Sequence, residues 1–158
     1  DHASQMRAMS KGVAHFAIPG ADSVPGQLGN VVLSGHSSND LFEPGDYKFI
    51  FAQLDKLQVG DTIFVNYESI RYTYTVSKKK EVKPNNVGAL LGHQNKPYLT
   101  LITCTPLGTA LNRLLVTAEQ ISPDPKNAKP VNTGEGGSSD AVMAGNAPTV
   151  LERLFGAR

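Results

Sequence analysis

Short apolar or alternating runs, separated by turn residues, extend from Val13 to Ile121 and constrain the fold of this chain most strongly. The runs read NVVLSG, YKFIFAQL, DTIFVNY, IRYTYTV, YLTLITC and NRLLVTAEQI, with Gly, Pro, Asn and Asp between them. The run IRYTYTV alternates residue by residue, as an antiparallel strand with one buried face does. The sequence therefore predicts an all-β fold, either a closed barrel or a sandwich.

Two stretches are predicted to be helical. Residues 4–11 form a short helix, with Ser4 as its N-terminal cap and Gly12 as its stop. The run FAQLDKL, residues 51–57, places large apolar residues at every third position, which indicates a single helical turn. The following QVGD predicts a turn in which Gly60 adopts positive φ.

The composition of the chain changes after residue 122. Residues 1–122 are long enough to bury a core and are assigned to one domain. Residues 123–149 are rich in Pro, Gly, Ser and Asn, so we expect a linker. Residues 150–158 place apolar side chains at helical spacing and are predicted to form a short amphipathic segment.

Charge and hydropathy argue against several classes of protein. The 15 Lys and Arg residues against 14 Asp and Glu residues give a net charge of +1, which does not favour a nucleic-acid partner. No stretch approaches the about 18 consecutive apolar residues of a membrane span. The opening residues also lack the apolar core of a signal peptide. We therefore expect the ectodomain of a longer protein, attached to a membrane only through an anchor outside this chain.

Cys104 is the single cysteine of the chain, which excludes an internal disulfide and a thiolate-rich metal site. It ends the run YLTLITC, and Pro106 and Gly108 force a loop directly after it. Strand ends that open into loops are positions where rigid scaffolds present reactive side chains. Two interpretations stay open at this point, a buried core thiol and a nucleophile.

A thiol nucleophile needs a second group that protonates the leaving amine. His36 follows the run NVVLSG in the same way as Cys104 ends its own run. His15 is an alternative, because GVAHF could begin a strand. His2 lies at the chain terminus and His93 in a polar turn, where a solvated side chain is expected.

The developing oxyanion also needs a stabilising group. Arg113 opens the apolar run RLLV, whereas the other arginines lie in more polar or terminal surroundings. A guanidinium stays protonated and offers forked donors, which suits an oxyanion or a substrate carbonyl. The alternative is an arginine that lies along the surface of the barrel.

Three segments, in the order found here, resemble the sortase family, the cysteine transpeptidases of the Gram-positive cell surface. TLITC, followed by an arginine-bearing strand, is similar to the cysteine–arginine motif of the family. NVVLSGH is similar to the family's strand that ends in the active-site histidine, and KGVAHF resembles the stretch before that strand. The resemblance covers about residues 4–121 and is greatest to the pilus-building class C enzymes, although housekeeping classes are related. It implies a closed eight-stranded β-barrel at the extracellular face of the cell membrane.

The resemblance also implies roles for individual residues. Cys104 would be the nucleophile, His36 the general acid and base, and Arg113 the group that stabilises the oxyanion and the bound peptide. Thr103 and Thr105, on either side of the nucleophile, would contribute hydrogen bonds to the substrate site. No metal ion and no cofactor are implied.

The implied reaction cleaves an LPxTG-like sorting signal through a thioacyl intermediate and transfers it to an amine, from a pilin lysine or a cell-wall precursor. Two alternatives remain: a catalytically silent β-barrel that binds surface proteins, and a thiol peptidase of cell-wall peptides. A further hypothesis concerns PVNTG, residues 130–134, which weakly resembles a sorting signal. The tail could therefore occupy the substrate groove as a lid or pseudo-substrate.

Overall fold

The computed structural model describes residues 2–38, 46–92, 95–131 and 142–145. Several predictions fall outside these ranges: those for His93, for most of the linker, for most of PVNTG and for the segment 150–158.

Six strands in the described ranges form one sheet. Their bounds are Ala14–His15 (β1), Gly29–Ser34 (β2), Thr62–Tyr67 (β3), Ile70–Val82 (β4), Pro97–Thr105 (β5) and Asn112–Ser122 (β6). The order across the sheet is β1-β2-β5-β6-β4-β3. Strands β2 and β5 run parallel, and every other neighbouring pair is antiparallel. The long strand β4 contains two register shifts, between Thr73 and Tyr74 and between Val76 and Lys78. Tyr74 and Val76 face the first core described below, whereas Val82, beyond the second shift, faces the second core.

The all-β class and the short N-terminal helix are confirmed. The helix α1 spans His2–Met9, so it begins two residues before the predicted cap Ser4. Gly12 follows it with φ of +147°, in the region that favours glycine. Gly60 also takes the predicted positive φ, at +98°.

The run YKFIFAQL does not form a strand. Residues 48–53 form consecutive turns that lead into a 3₁₀ helix over Leu54–Lys56, which matches the helical turn predicted from FAQLDKL. The Leu54 N–H donates to the carbonyl of Phe51, three residues earlier, at 3.1 Å. Such local hydrogen bonds pair the backbone groups of this segment without a partner strand. A 3₁₀ helix has three residues per turn, so apolar residues at every third position lie on one face.

The described strands make a half-barrel sheet of six strands, with β1 and β3 at its two edges. An eight-stranded closed barrel would need two further strands between these edges. Closure of the barrel therefore stays a prediction.

Each face of the sheet carries a buried apolar core. The first core comprises Val31, Leu54, Tyr72, Tyr74, Val76, Leu99, Leu101, Leu114, Val116 and Ala118. The second core comprises Phe16, Ile18, Ala21, Val32, Val82, Leu90, Ile102, Leu115 and Met143. Alternate residues of a strand face opposite sides, so Cys104 and Arg113 lie on the face of the second core, like Ile102 and Leu115.

A buried hydrogen-bond network holds β2 against β5. The Asn30 side-chain amide donates to the carbonyl of Leu90 at 3.0 Å, and the Thr100 hydroxyl donates to Asn30 Oδ1 at 2.9 Å. Leaving one of these buried groups unpaired would cost about 1–3 kcal/mol, so slipped registers are disfavoured. The network therefore supports the parallel register that brings the ends of β2 and β5 together.

Candidate active site

Cys104 and Arg113 lie directly opposite each other on β5 and β6. Opposed residues of an antiparallel pair project from the same face and are nearest neighbours across the strands. Both side chains are buried, with exposed fractions of 2% for Cys104 and 5% for Arg113. The two residues that the sequence places nine positions apart are therefore brought together by a short strand connection.

His36 lies at the same end of the sheet as Cys104. In the parallel register Ser34 pairs with Ile102, and the chain continues two residues beyond each to His36 and to Cys104. The Gly35 N–H donates to the Ile102 carbonyl at 3.1 Å, which extends the pairing past the end of β2. His36 is buried, with 2% of its surface exposed. The structure thus brings the predicted histidine, cysteine and arginine to the ends of three adjacent strands, β2, β5 and β6.

Gly35 sets the path of the chain into His36. A Cβ atom at this position would lie 2.8 Å from Phe51 Cδ2 and 2.9 Å from Ile50 Cγ2, so a larger residue would collide with these two side chains unless they shift. The Thr103 hydroxyl donates to the Gly35 carbonyl at 2.8 Å. Thr103 therefore holds the histidine-bearing segment against β5, a positioning role that the sequence did not indicate.

The predicted substrate contacts of Thr103 and Thr105 stay predictions. The Thr103 side chain is buried and its hydroxyl already donates to a backbone carbonyl. Thr105 is half-buried at the end of β5, where it pairs with Asn112. Of the two, Thr105 is the more accessible to a bound peptide.

A second hydrogen bond links the loops that follow Cys104 and His36. The Gly108 N–H donates to the Ser38 hydroxyl at 2.9 Å. Because Ser38 lies two residues after the histidine and Gly108 four residues after the cysteine, this bond couples the two loops at the rim of the site.

The guanidinium of Arg113 places a positive charge beside Cys104. Its Nη1 donates to the carbonyls of Ala110 at 3.0 Å and Asn112 at 3.1 Å. Burial lowers the pKa of Arg113, while the charge of the Cys104 sulfur and a hydrogen bond to it act in the opposite direction. An arginine starts from so high a pKa that it stays protonated. A fixed positive charge beside a sulfur stabilises its thiolate form.

Residues 142–145 cover the site, although they fall in the range 123–149 for which the composition predicts a linker. The backbone carbonyl of Met143 accepts from Arg113 Nη2 at 3.0 Å and from Nε at 3.2 Å, and the Ala144 carbonyl accepts from Nε at 3.2 Å. A Cβ atom on Gly145 would lie 2.5 Å from both Cys104 Sγ and Arg113 Nη2. Because both distances start from the same point, the distance between Cys104 Sγ and Arg113 Nη2 is at most their sum.

A cleft of about 40 Å³ lies beside Cys104. Its lining residues are Ser37, Phe51, Ala52, Asp55, Thr103, Cys104, Thr105, Leu107 and Leu114. This volume holds about one water molecule, not an extended peptide. None of residues 142–145 lines this cleft.

His15 lies away from the cysteine. It is on the edge strand β1 opposite Leu33, which faces the first core, and its Nε2 lies 3.1 Å from the Ser23 carbonyl oxygen. Because opposed residues share a face, His15 projects on the other side of the sheet from Cys104. The structure therefore does not bring this alternative histidine to the site.

Across residues 2–38, 46–92, 95–131 and 142–145, no helix is both long and apolar enough to span a bilayer. Within the same ranges, no three His, Cys, Asp or Glu side chains are grouped so that they could hold a metal ion.

Comparison with known proteins identifies the family to which this sheet and this cysteine–arginine pair belong. The family model of the sortase domain matches residues 2–121, which include every strand except the last residue of β6. The chain belongs to the sortase family, whose members are cysteine transpeptidases.

Curated relatives match over part of their length. Sortase A of Streptococcus agalactiae serotype III is 31% identical over 98 residues, which are 62% of this chain and 38% of the relative. Sortase D of Bacillus subtilis is 26% identical over 118 residues, which are 72% of this chain and 52% of the relative. This chain therefore spans from 38% to 52% of the length of these relatives.

Solved structures of class C sortases resemble this chain in fold. Sortase C-1 from Actinomyces oris superimposes with a TM-score of 0.62 at 32% identity, covering 73% of this chain and 62% of the other. Sortase C1 from Streptococcus agalactiae superimposes with a TM-score of 0.61 at 34% identity, covering 75% and 57%. The predicted resemblance to the sortase family and to its class C members is confirmed.

Proposed function

We propose that this chain is a transpeptidase that cleaves an LPxTG-like sorting signal and transfers the new carboxyl end to an amine. The observation that carries the proposal is the pairing of Cys104 with Arg113 across β5 and β6, beside the strand that leads to His36. These are the residue types that nucleophilic attack, proton transfer and oxyanion stabilisation require.

In the first half of the reaction, the Cys104 thiolate attacks the threonine carbonyl carbon of the sorting signal. The Arg113 guanidinium stabilises the negative charge that develops on the carbonyl oxygen. His36, as imidazolium, gives its proton to the departing glycine amine while the carbon–nitrogen bond breaks. The products are a thioester on Cys104, which carries the substrate up to the threonine, and a carboxyl-terminal fragment that leaves the site with the glycine as its free amino terminus.

In the second half, an incoming amine attacks the thioester carbonyl. Neutral His36 takes a proton from the amine, the carbon–sulfur bond breaks, and Cys104 leaves as thiolate. A new amide bond joins the sorted protein to the acceptor. A pilin lysine and an amino group of a cell-wall precursor are the two acceptor classes that we propose.

The proposed reaction requires sorted proteins on the outside of the cell. We therefore place this chain at the extracellular face of the cell membrane. The proposed fold of the complete domain is the eight-stranded closed barrel, of which the six described strands form one part.

The buried arginine favours an enzyme over a silent binding module. Burying a guanidinium among apolar side chains is unfavourable unless its donors are paired, so a scaffold without need of the charge gains by replacing it. Arg113 is buried next to the single sulfur of the chain, where a thiolate and an oxyanion would form. That placement has a direct chemical use in catalysis.

Product analysis tests the proposed transfer. The full chain, as wild type and as Gly145→Ala to relieve the cover described above, is incubated with an LPxTG-containing peptide, with and without triglycine or a lysine-containing peptide. We expect the amide-joined product to exceed the free acid when an amine is present, and Cys104→Ala to give neither product.

Two results would contradict the proposed transfer. Free acid as the only product, at every amine concentration, would indicate the thiol peptidase instead. Absence of any product from both chains would indicate the silent β-barrel. Mass spectrometry of the peptide products separates these outcomes.

A further inference from the structure

We infer that residues 142–145 are a built-in pseudo-substrate, which fills the peptide site of this chain and must leave before a substrate can bind. We call these residues the plug. The regulatory meaning of the plug rests on the proposed function, whereas its effect on access to Cys104 does not. Three independent features of the described contacts support the inference.

The first feature is the way the plug uses Arg113. Three hydrogen bonds run from the guanidinium to the backbone carbonyls of Met143 and Ala144. These acceptors are present in every peptide, so a bound substrate offers the same groups to the same donors. While the plug holds Nε and Nη2, those donors cannot point at the carbonyl of a substrate.

The second feature is the apolar anchor of the plug. The Met143 side chain is fully buried in the second core, where Val82, Leu90 and Leu115 also lie. Its backbone N–H donates to the Pro84 carbonyl at 3.0 Å. Met143 is thus held by its buried side chain and by both of its backbone polar groups. A substrate residue is held in the same way, because the side-chain pocket anchors it and the backbone hydrogen bonds fix its register.

The third feature is the fit of Gly145 over the reactive sulfur. The position lacks room for a Cβ, which would lie 2.5 Å from Cys104 Sγ and 2.6 Å from Arg113 Cζ. Real Cβ atoms do not approach so closely, so the plug reaches the sulfur only because this residue is glycine. The backbone of Gly145 consequently occupies the space in which a substrate carbonyl would meet the nucleophile.

The plug is completed on its outer side by the N-terminal helix. Ala144 packs with Met9 at the end of α1 and with Ala14 of β1, and all three are buried. Tethering in one chain makes plug binding intramolecular, so it competes with free peptides at a high effective concentration. The apparent reactivity of Cys104 is then reduced by the fraction of molecules in which the plug is bound.

The test measures access to the sulfur in the full chain. Cys104 is the single cysteine, so the rate of alkylation by iodoacetamide, followed by intact mass, reports on this site alone. We expect Gly145→Ala to raise that rate by at least about tenfold, because the added methyl group excludes the bound state of the plug. Gly88→Ala is the matched control, since its Cβ would have 3.8 Å to the nearest atom, and should leave the rate unchanged.

Folding is checked by the thermal unfolding midpoint of each variant, and labelling is done well below it. If Gly145→Ala does not fold, Met143→Ala takes its place, since it removes the anchor and leaves the plug backbone intact. Equal alkylation rates in the folded plug variant, in Gly88→Ala and in wild type would overturn the inference. A wild-type rate as fast as that of a free cysteine peptide would overturn it as well.

Failure of the plug and failure of the proposed function give different results. A chain in which Gly145→Ala exposes the sulfur but forms no peptide product has a plug and lacks the proposed activity. A chain that transfers the peptide equally well with and without Gly145→Ala, at equal alkylation rates, has the activity and no plug.

Discussion

His36→Gln is expected to reduce cleavage of the sorting-signal peptide by about 10²–10⁴-fold, the contribution that a positioned general acid and base makes. Glutamine keeps the approximate size and hydrogen-bonding capacity of the side chain but cannot transfer a proton to the departing amine. The turnover number of the Gly145→Ala chain, with and without the second substitution, gives the effect directly, because the plug no longer limits access.

The same substitution at another histidine provides the control. His15→Gln changes a side chain on β1 that projects from the opposite face of the sheet, so activity should stay at the level of the parent chain. An equal loss in both variants would show that the effect is not specific to the site. Retention of full activity by His36→Gln would remove the histidine from the proposed mechanism.

Arg113→Lys is expected to lower kcat/KM by about 10²–10³-fold, as loss of an oxyanion donor does. Lysine keeps the positive charge but replaces the planar fork with a point charge, and it cannot make both the bonds to the strand connection and those to a substrate. The exposed Arg71, whose guanidinium lies 5.5 Å from the Phe64 ring centroid, supplies the control Arg71→Lys.

Arg113→Lys has a second expected effect that runs in the opposite direction. Three of the hydrogen bonds that hold the plug come from the Arg113 side chain, so alkylation of Cys104 should become faster while peptide cleavage becomes slower. A fall in both rates would indicate a collapsed site instead. A kcat/KM within threefold of the parent, with folding retained, would contradict the role of Arg113.

The sequence predicts most of the sheet because its strands satisfy local rules. IRYTYTV alternates along β4 and buries Tyr72, Tyr74 and Val76 on one side, as period-two patterning requires. The sequence places Cys104 at the end of one strand and Arg113 at the start of the next. When these two strands pair as antiparallel neighbours, the two residues lie opposite each other, as they do on β5 and β6. His36 was expected after a buried strand, and the parallel pairing of β2 with β5 brings that strand end to the cysteine.

The plug could not be predicted in the same way. Its burial depends on a space between the second core and α1, which exists only in the folded chain. The composition of residues 123–149 predicts a linker, because one methionine does not change the average hydropathy of a polar stretch. The signal in the sequence that could have indicated the plug is the pair Val142 and Met143, which are large apolar residues among small and polar ones, followed by Gly145.

The role of Thr103 was likewise beyond the sequence. The resemblance implies a backbone or hydroxyl hydrogen bond from Thr103 to the substrate site, which stays a prediction; in the structure the hydroxyl donates to the Gly35 carbonyl. Which way a strand-end side chain points depends on the partner strand, and single-sequence patterns do not define that partner for parallel strands.

The most direct test of the central claim, that Cys104 is the nucleophile of this site, is the location of the acyl group during turnover. Gly145→Ala chain is mixed with the LPxTG-containing peptide without an amine, quenched in acid, and analysed by intact mass and by proteolytic peptide mapping. We expect a mass gain equal to the acyl fragment, carried by Cys104, released by hydroxylamine and absent in Cys104→Ala. An acyl group on another residue, or no acyl group on a sulfur that iodoacetamide readily alkylates, would contradict it.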